Sequence, residues 1–335
     1  CMKKYILLMF VFVAVLTSCT NDDITISYAT NFKINPATVI TPFTFEMNPG
    51  ELESFGSDHR LRVRLLTYNS EGLLVQENVE YFTNYATLMS CSQNLPDGNY
   101  IAIAITDVVS YEGNNVALEY WELSDHDKLA ETRIDDNGYI GLQYKILGIS
   151  KTNFTINGKS NNDISINVSP AGALIFVWYQ NIHAFSDVET YGLAKSKTTE
   201  GCIFDSQGNY TVSALNNNGS FDWWQDKTDV ADFGENVQNV YSFVYILPMS
   251  NMNLKFQAIT DTGEEYDLSN SMTVSPQAGE EYLFSIDLAA GDSGFNIEYG
   301  LVNSKSSNKS LTSQENVRSV NTVLNKRSLY LKDVK

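Results

Sequence analysis

The residue best placed to do chemistry is Cys19. It follows Leu16-Thr17-Ser18, which in turn closes a twelve-residue apolar run from Tyr5 to Leu16 behind Lys3 and Lys4. Such a run suits the core of an export signal and is too short to span a bilayer. Beyond the small residues Thr17 and Ser18 stands a thiol, the strongest nucleophile of the segment. Elsewhere the chemistry is thin. Phe221-Asp222-Trp223-Trp224 follows the soft turn Asn216-Asn217-Asn218-Gly219. Neighbouring side chains diverge in a strand or a helix, so the two rings are not equally buried and one could stack on a sugar. Rim packing against another part of the fold is the commoner use of such a pair.

Asp222, Asp226, Asp229 and Asp232 recur at helical spacing, with Glu235 beyond, and a short helix is expected over Trp223 to Phe233. Calcium wants six to eight oxygens, but a solvated helix face is the usual meaning of such a row, so neither metal nor cofactor is expected. The three histidines, His59, His126 and His183, fall in unrelated segments, and no HExxH, GxSxG or GxGxxG is present. Catalytic residues, and hence an enzyme, are therefore not expected.

The elements that would carry these residues are strands. Leu61 to Leu65, Ile164 to Val168, Leu254 to Ala258 and Phe295 to Tyr299 alternate apolar and polar, as half-buried strands do. Leu174 to Tyr179 and Tyr241 to Leu247 are apolar nearly throughout, which predicts central strands covered on both faces. Asn69-Ser70-Glu71-Gly72, Pro96-Asp97-Gly98, Asp136-Asn137-Gly138 and Asp261-Thr262-Gly263 supply turns. Many short strands with Gly and Asn turns predict an all-β fold of sandwiches. Hydrophobic residues make up 43% of the chain and aromatics 12%, enough for a core.

The net charge of −18 lies in the body, because Asn303 to Lys335 holds seven Lys/Arg against two Asp/Glu. An acidic body repels phosphate, so nucleic acid is excluded as a partner. Cys91 and Cys202 each sit in an apolar run, which favours two buried thiols, although an exported chain could oxidise them.

A weak repeat divides the chain. Leu95-Pro96 leads into a strand ending Ala104-Ile105-Thr106-Asp107, and Leu247-Pro248 into one ending Ala258-Ile259-Thr260-Asp261. Tyr68-Asn69-Ser70-Glu71-Gly72 likewise matches Phe204-Asp205-Ser206-Gln207-Gly208. The order is the same in both halves, which predicts two copies of one sandwich. The expected organisation is a signal peptide at 1–18, a lipidated linker at 19–40, sandwiches at 41–162 and 163–302, and a basic tail at 303–335, with the polar stretch Asn157 to Asp163 as the divide.

Leu16-Thr17-Ser18-Cys19 resembles the lipobox of bacterial lipoproteins. With the Tyr/Phe-Asn/Asp-x-x-Gly turns and the Leu-Pro strands that recur after it, the chain resembles the fimbrillin superfamily of Bacteroidales surface fimbriae. Within it the chain is most similar to FimB-type anchor subunits. The resemblance implies two tandem transthyretin-like β-sandwiches, lipid on Cys19 and a place on the outer face of the outer membrane, a location that the acidic residues Asp22 and Asp23 also fit. It implies other fimbrial subunits as partners through strand addition, with any host or glycan ligand left open. Shaft subunits of that family lose their N-terminal segment to an Arg- or Lys-directed protease, whereas an anchor must keep it. Between Cys19 and His59 the only basic residue is Lys33, and Arg60 adjoins the Leu61 strand. That favours an anchor over a shaft or tip subunit matured at Lys33 or Arg60. A surface glycan-binding lipoprotein, with Trp223 and Trp224 as its platform, is the alternative.

Overall fold

The computed structural model describes residues 26–36, 39, 58–84, 87–137, 145–158, 162–216, 227–232, 234–289 and 296–303. The chain is nearly all β. In order, its strands are β1 Ser27–Asn35, β2 His59–Asn69, β3 Leu74–Phe82, β4 Met89–Pro96, β5 Gly98–Glu112, β6 Asn115–Glu119, β7 Trp121–Ser124, β8 Arg133–Asp136, β9 Leu147–Ile156 and β10 Asn162–Asn167. There follow β11 Ala173–Gln180, β12 Val188–Lys195, β13 Lys197–Phe204, β14 Tyr210–Asn216, β15 Lys227–Asp229, β16 Asn239–Ile246, β17 Met252–Thr260, β18 Glu265–Asp267, β19 Met272–Val274, β20 Glu281–Asp287 and β21 Asn296–Asn303.

Two packed units of the same connectivity account for most of these strands. In the first, β1 pairs in parallel with β10 and antiparallel with β4. Facing that sheet, β2 pairs with β3 and β5, and β5 with β6 and β9, all antiparallel. In the second, β11 pairs in parallel with β20 and antiparallel with β16. Facing it, β12 pairs with β15 and β17, and β17 with β18 and β19, again all antiparallel. The repeat is thus topological, with β21 added outside β20 in the second unit. The Leu95-Pro96 and Leu247-Pro248 segments join equivalent strands, β4 to β5 and β16 to β17. The two Asx turns do not. Asn69 joins β2 to β3, whereas Asp205 joins β13 to β14, a hairpin with no counterpart at that position in the first unit. Their likeness is local: Asn69 Oδ1 accepts from the amides of Glu71 and Leu73, both at 3.0 Å, and Asp205 Oδ1 from those of Gln207 and Asn209 at 2.9 and 2.8 Å.

The boundaries differ from the sequence reading at two places. β1 falls inside the stretch read as linker, yet it lies at the centre of the first unit's smaller sheet. β10, read as the opening strand of the second unit, pairs with β1 and sends Ile166 into the first core. Sequence distance hides this pairing, which joins residues 132 apart. A sheet also crosses the divide. β7 and β8 come from the first half, β13 and β14 from the second, and they form one ladder in the order β14-β13-β8-β7.

That shared sheet explains the apolar runs. On β5, Ala102 and Ala104 face the first core, while Ile103 and Ile105 face a second apolar layer. On β11, Ile175 and Val177 face the core of the second unit, while Leu174 and Phe176 face the same layer. Both strands are covered on both faces, as their composition requires. β16 is covered on both faces too, through Val244 and Tyr245, but it lies at a sheet edge and not at a centre.

Two glycines set the close approach of the halves. At Gly201, on the β13 side of the cross-half ladder, a Cβ would fall onto the carbonyl oxygen of Ile134. Gly208 takes φ +76° in its turn, and a Cβ there would meet Lys151, Ile101 and Ile103 at 3.0 to 3.1 Å. Gly201→Ala should therefore push β13 from β8 and destabilise the fold by about 3 kcal/mol, the upper part of the overpacking range. Urea unfolding of variant and parent checks this, and an unchanged midpoint would remove Gly201 from the joint.

Candidate functional site

Of the residues singled out from sequence, Cys19, Trp223 and Trp224 lie outside the described residues, as do Asp222 and Asp226 and the tail beyond 303. The carboxylate row can be followed from Asp229 on. There the chain forms strand β15 and then a single 3-10 turn at Val230–Asp232, in place of the helix expected there. β15 is drawn out of helical geometry by pairing with β12, where Thr190 Oγ1 donates to Asp229 Oδ1 at 2.7 Å. Among the described residues no three His, Cys, Asp or Glu side chains gather as a metal site.

The structure does bring the N-terminal segment and its basic residues into one frame. β1 stands eight residues after Cys19. Phe32 and Ile34 on it are fully buried in the first core, and Phe32 meets Phe154 edge-on at 5.6 Å. Every residue from Thr30 to Ile34 is paired on both sides, to β10 and to β4. Asn31 Nδ2 donates to Asp163 Oδ1 at 3.0 Å, and Asn35 Nδ2 to Asn167 Oδ1 at 3.3 Å, adding side-chain rungs to the parallel ladder. Lys33 points outward from this strand, opposite Ser165 and Ser90.

Arg60, Arg62 and Arg64 all lie within β2, the last two between β3 and β5 and Arg60 paired to β5 alone. Arg60 is inside the strand and not merely beside it. Its guanidinium sits 5.3 Å from the Tyr111 ring centroid, and Nη1 donates to the His59 carbonyl at 2.6 Å. Arg62, which alternation assigns to a solvated face, is buried at 1% exposure. It forms a bidentate pair with Asp107, Nε to Oδ1 at 2.9 Å and Nη2 to Oδ2 at 2.6 Å. Nη2 also donates to the Trp121 carbonyl at 3.1 Å, and Nη1 lies 2.7 Å from Glu119 Oε1. Burial works against charge on Arg62, yet the carboxylates of Asp107 and Glu119 hold its protonation above the ordinary range. Arg64 extends the network to Glu77 and Glu119, both at 3.5 Å. Above it, Trp121 Nε1 donates to the Lys145 carbonyl at 2.9 Å, and the buried Lys145 ammonium meets Asp136 at 2.7 Å.

Sequence reasoning missed this charged layer. Asp107 reads from the sequence as the last residue of an apolar strand, although β5 runs on to Glu112, and Arg62 alternates with apolar neighbours, so each reads as an outward residue. The one available signal was an Asp at the end of a strand otherwise read as core.

A groove of about 670 Å³ runs beside β14, lined by Lys197, Tyr210, Val212, Asn216, Pro248 and Ser250 among others. Lys197 Nζ is engaged there by the Ser250 carbonyl at 2.6 Å. Among the described residues, Cys91 and Cys202 are free thiols. Burial pushes Cys91 up to about 11 and Cys202 up to about 12, with Glu80 and Asp135 adding to the respective shifts.

No family model and no curated protein matches the chain. Among solved structures it is similar to the tip fimbrial protein Mfa3 of Porphyromonas gingivalis, C-terminally truncated, at 10% identity and a TM-score of 0.44 over 82% of this chain and 99% of that one. It is similar also to the fimbrial anchor protein Mfa2 of the same organism, at 10% identity and a TM-score of 0.46 over 82% and 97%. A third is a candidate polysaccharide-binding protein of Bacteroides thetaiotaomicron, at 13% identity and a TM-score of 0.43 over 78% and 92%.

Two outcomes follow from the charged layer and the thiols. Asp107→Ala leaves the Arg62 guanidinium buried without its bidentate partner and should cost about 3 to 5 kcal/mol, whereas replacing both by apolar residues, Arg62→Met with Asp107→Leu, should cost far less. Urea titrations of the three variants decide it, and equal losses would show that the pair is not acting as a unit. The thiolate is the reactive form, so iodoacetamide at pH 8 should label Cys91 slowly and Cys202 only after unfolding. Raising the pH toward 11 should speed Cys91 first, as followed by intact mass.

Proposed function

We propose that this chain is a lipid-tethered surface subunit of a fimbria that keeps its N-terminal segment, as an anchor must. It has a structural role, without enzymatic activity. Lipid on Cys19 holds it to the outer membrane, facing outward, and other fimbrial subunits are its partners.

The observation that carries this reading is the seat of β1. A protease binds its substrate as an extended backbone with free edges, and a strand paired on both sides offers none. Lys33 lies in such a strand, between β10 and β4. Arg62 and Arg64 lie in β2 with β3 on one side and β5 on the other, and Arg60 is paired to Val109 on β5. Cutting after Lys33 would also part Phe32 from Ile34, two side chains that fill the first core. Lys33, Arg62 and Arg64 are thus held on both sides and Arg60 on one, while the thiol that would take lipid lies upstream of all four. Several acyl chains on one residue exceed what stable membrane anchoring needs, so no second membrane signal is required.

Mass spectrometry of the N-terminus of protein taken from native cells tests the reading. An acylated Cys19 is expected. A mature N-terminus at Ile34 or Leu61 would make the chain a shaft or tip subunit, and Cys19→Ala that stayed as membrane-bound as the parent after signal removal would rule out the tether.

A further inference from the structure

Among the described residues the apolar layer between the two units holds eighteen buried apolar side chains, ten from the first half, Leu66 to Ile149, and eight from the second, Ala171 to Leu283. Two faces from different halves meet in it: Leu66, Tyr68, Ile103 and Ile105 from β2 and β5, and Leu174, Phe176 and Leu283 from β11 and β20. The shared sheet supplies Trp121, Ile134, Cys202 and Phe204 to the same layer.

Polar contacts fix this layer in one register. Tyr245 of β16 donates its hydroxyl to the Leu147 carbonyl of β9 at 2.6 Å, in a buried site. Lys151 of β9 reaches the β13–β14 turn, bonding the Gln207 carbonyl at 3.1 Å and Asn209 Oδ1 at 2.6 Å. The Phe204 amide donates to the Thr132 carbonyl at 3.1 Å. The connection from β10 to β11 is itself tied down, with Gly148 bridged to Pro170 and the Ala171 amide bonded to the Leu147 carbonyl at 2.9 Å.

We propose that this joint couples the two units into one cooperative folding unit, so that the state of the tether strand β1 is felt in the second unit. The reason is what separation would uncover. Ten buried apolar side chains of the first half and eight of the second meet in this layer, and its sheet draws strands from both halves, so unfolding of one half leaves the other with an uncovered apolar face. Interfaces between independently moving domains are instead small and more polar. β1 enters this scheme through β10, which pairs with it and then runs within five residues, 168 to 172, into β11. Unseating β1 removes Phe32 and Ile34 from the first core, which weakens the sheet whose outer face is half of the joint.

Hydrogen exchange on the full chain from residue 20 tests the coupling with a perturbation far from the joint. Ile34→Val removes one methylene from the first core and should speed exchange of the slowest β2 and β5 amides by roughly fivefold. Coupling requires the slowest β17 amides, in the second unit's central strand, to speed up by the same factor. Ile34→Ala should move both sets further and equally. If the β17 amides keep the parent rate while β2 and β5 lose protection, the units open separately and the proposal falls. The measurement needs no lipid and no fimbria, so an unacylated Cys19 would overturn the tether while leaving the coupling to stand or fall by its own readout.

Discussion

A β-sheet that is apolar on both faces cannot be left half covered in water, and this constraint shapes the whole molecule. β5 reads Ile101-Ala102-Ile103-Ala104-Ile105, with alanines on one face and isoleucines on the other. The alanine face is narrow and lets the opposing sheet of β10, β1 and β4 approach with Phe32 and Ile34. The isoleucine face is broader and more hydrophobic, and it packs not in the first core but in the layer formed with the shared sheet and the second unit. Burial of such side chains stabilises by about 1.5 to 3 kcal/mol each, so several of them decide how the halves associate. The second unit meets the same demand on β11 with Leu174 and Phe176. Placing the two faces together, with an insertion from each half to close the gap, satisfies both at once.

The charged layer is the complement of that solution. The outer face of β2 passes from Tyr68 and Leu66, inside the joint, to Arg64, Arg62 and Arg60, beyond it. Arg62 is buried beside the joint, with Asp107 directly across the ladder. A buried guanidinium is tolerable only when its donors are met, and here a bidentate Asp107, Glu119 and the Trp121 carbonyl meet them. Such a pair adds little net stability over an apolar replacement of equal volume, but it is intolerant of misregister. Sliding β2 by one residue against β5 would bury the charge against Thr106 or Val108 in place of Asp107. The pair is thus a register lock on the sheet that carries the joint.

The all-β class, the repeat and the Leu-Pro strands were legible because they rest on local patterns, period-two alternation and turn residues that occupy adjacent positions. Gly72 and Gly208 announced their turns through the Asx residue three positions earlier, and both turns formed with the same φ. What was hidden depends on partners distant in sequence. β1 carries Asn31, Lys33 and Asn35 between its apolar residues, which looks like a linker until β10 supplies Asp163 and Asn167 as partners. The buried state of Arg62 required knowing that Asp107 lies directly across the ladder. The match of the two Asx turns misled in an instructive way. A tight turn is specified by four residues and recurs wherever two strands need joining, so it reports local geometry and not equivalence between units. The Leu-Pro segments report more, because they mark a crossing from one sheet to the facing one, which each unit makes in the same place.

The insertions give the repeat its asymmetry. Two identical sandwiches could satisfy their outer faces by stacking on any copy of themselves, which would leave association open-ended. Here β7–β8 departs between β6 and β9 of the first unit, and β13–β14 between β12 and β15 of the second, so each unit grows its hairpin at a different point of the same topology. The hairpins meet through Gly201 to Ile203 against Arg133 to Asp135, with the Phe204 amide bonded to the Thr132 carbonyl beside them, and that short ladder admits one arrangement because Gly201 is the residue that lets β13 approach the Ile134 carbonyl. Association is thereby closed within a single chain, and the apolar faces that would otherwise pair with a neighbour are consumed internally. Each sheet still ends in an outer strand on both sides among the described residues, β10 and β4, β3 and β6, β14 and β7, β16 and β21, β15 and β18, so extension of the molecule has only strand edges, and no open apolar face, to work with.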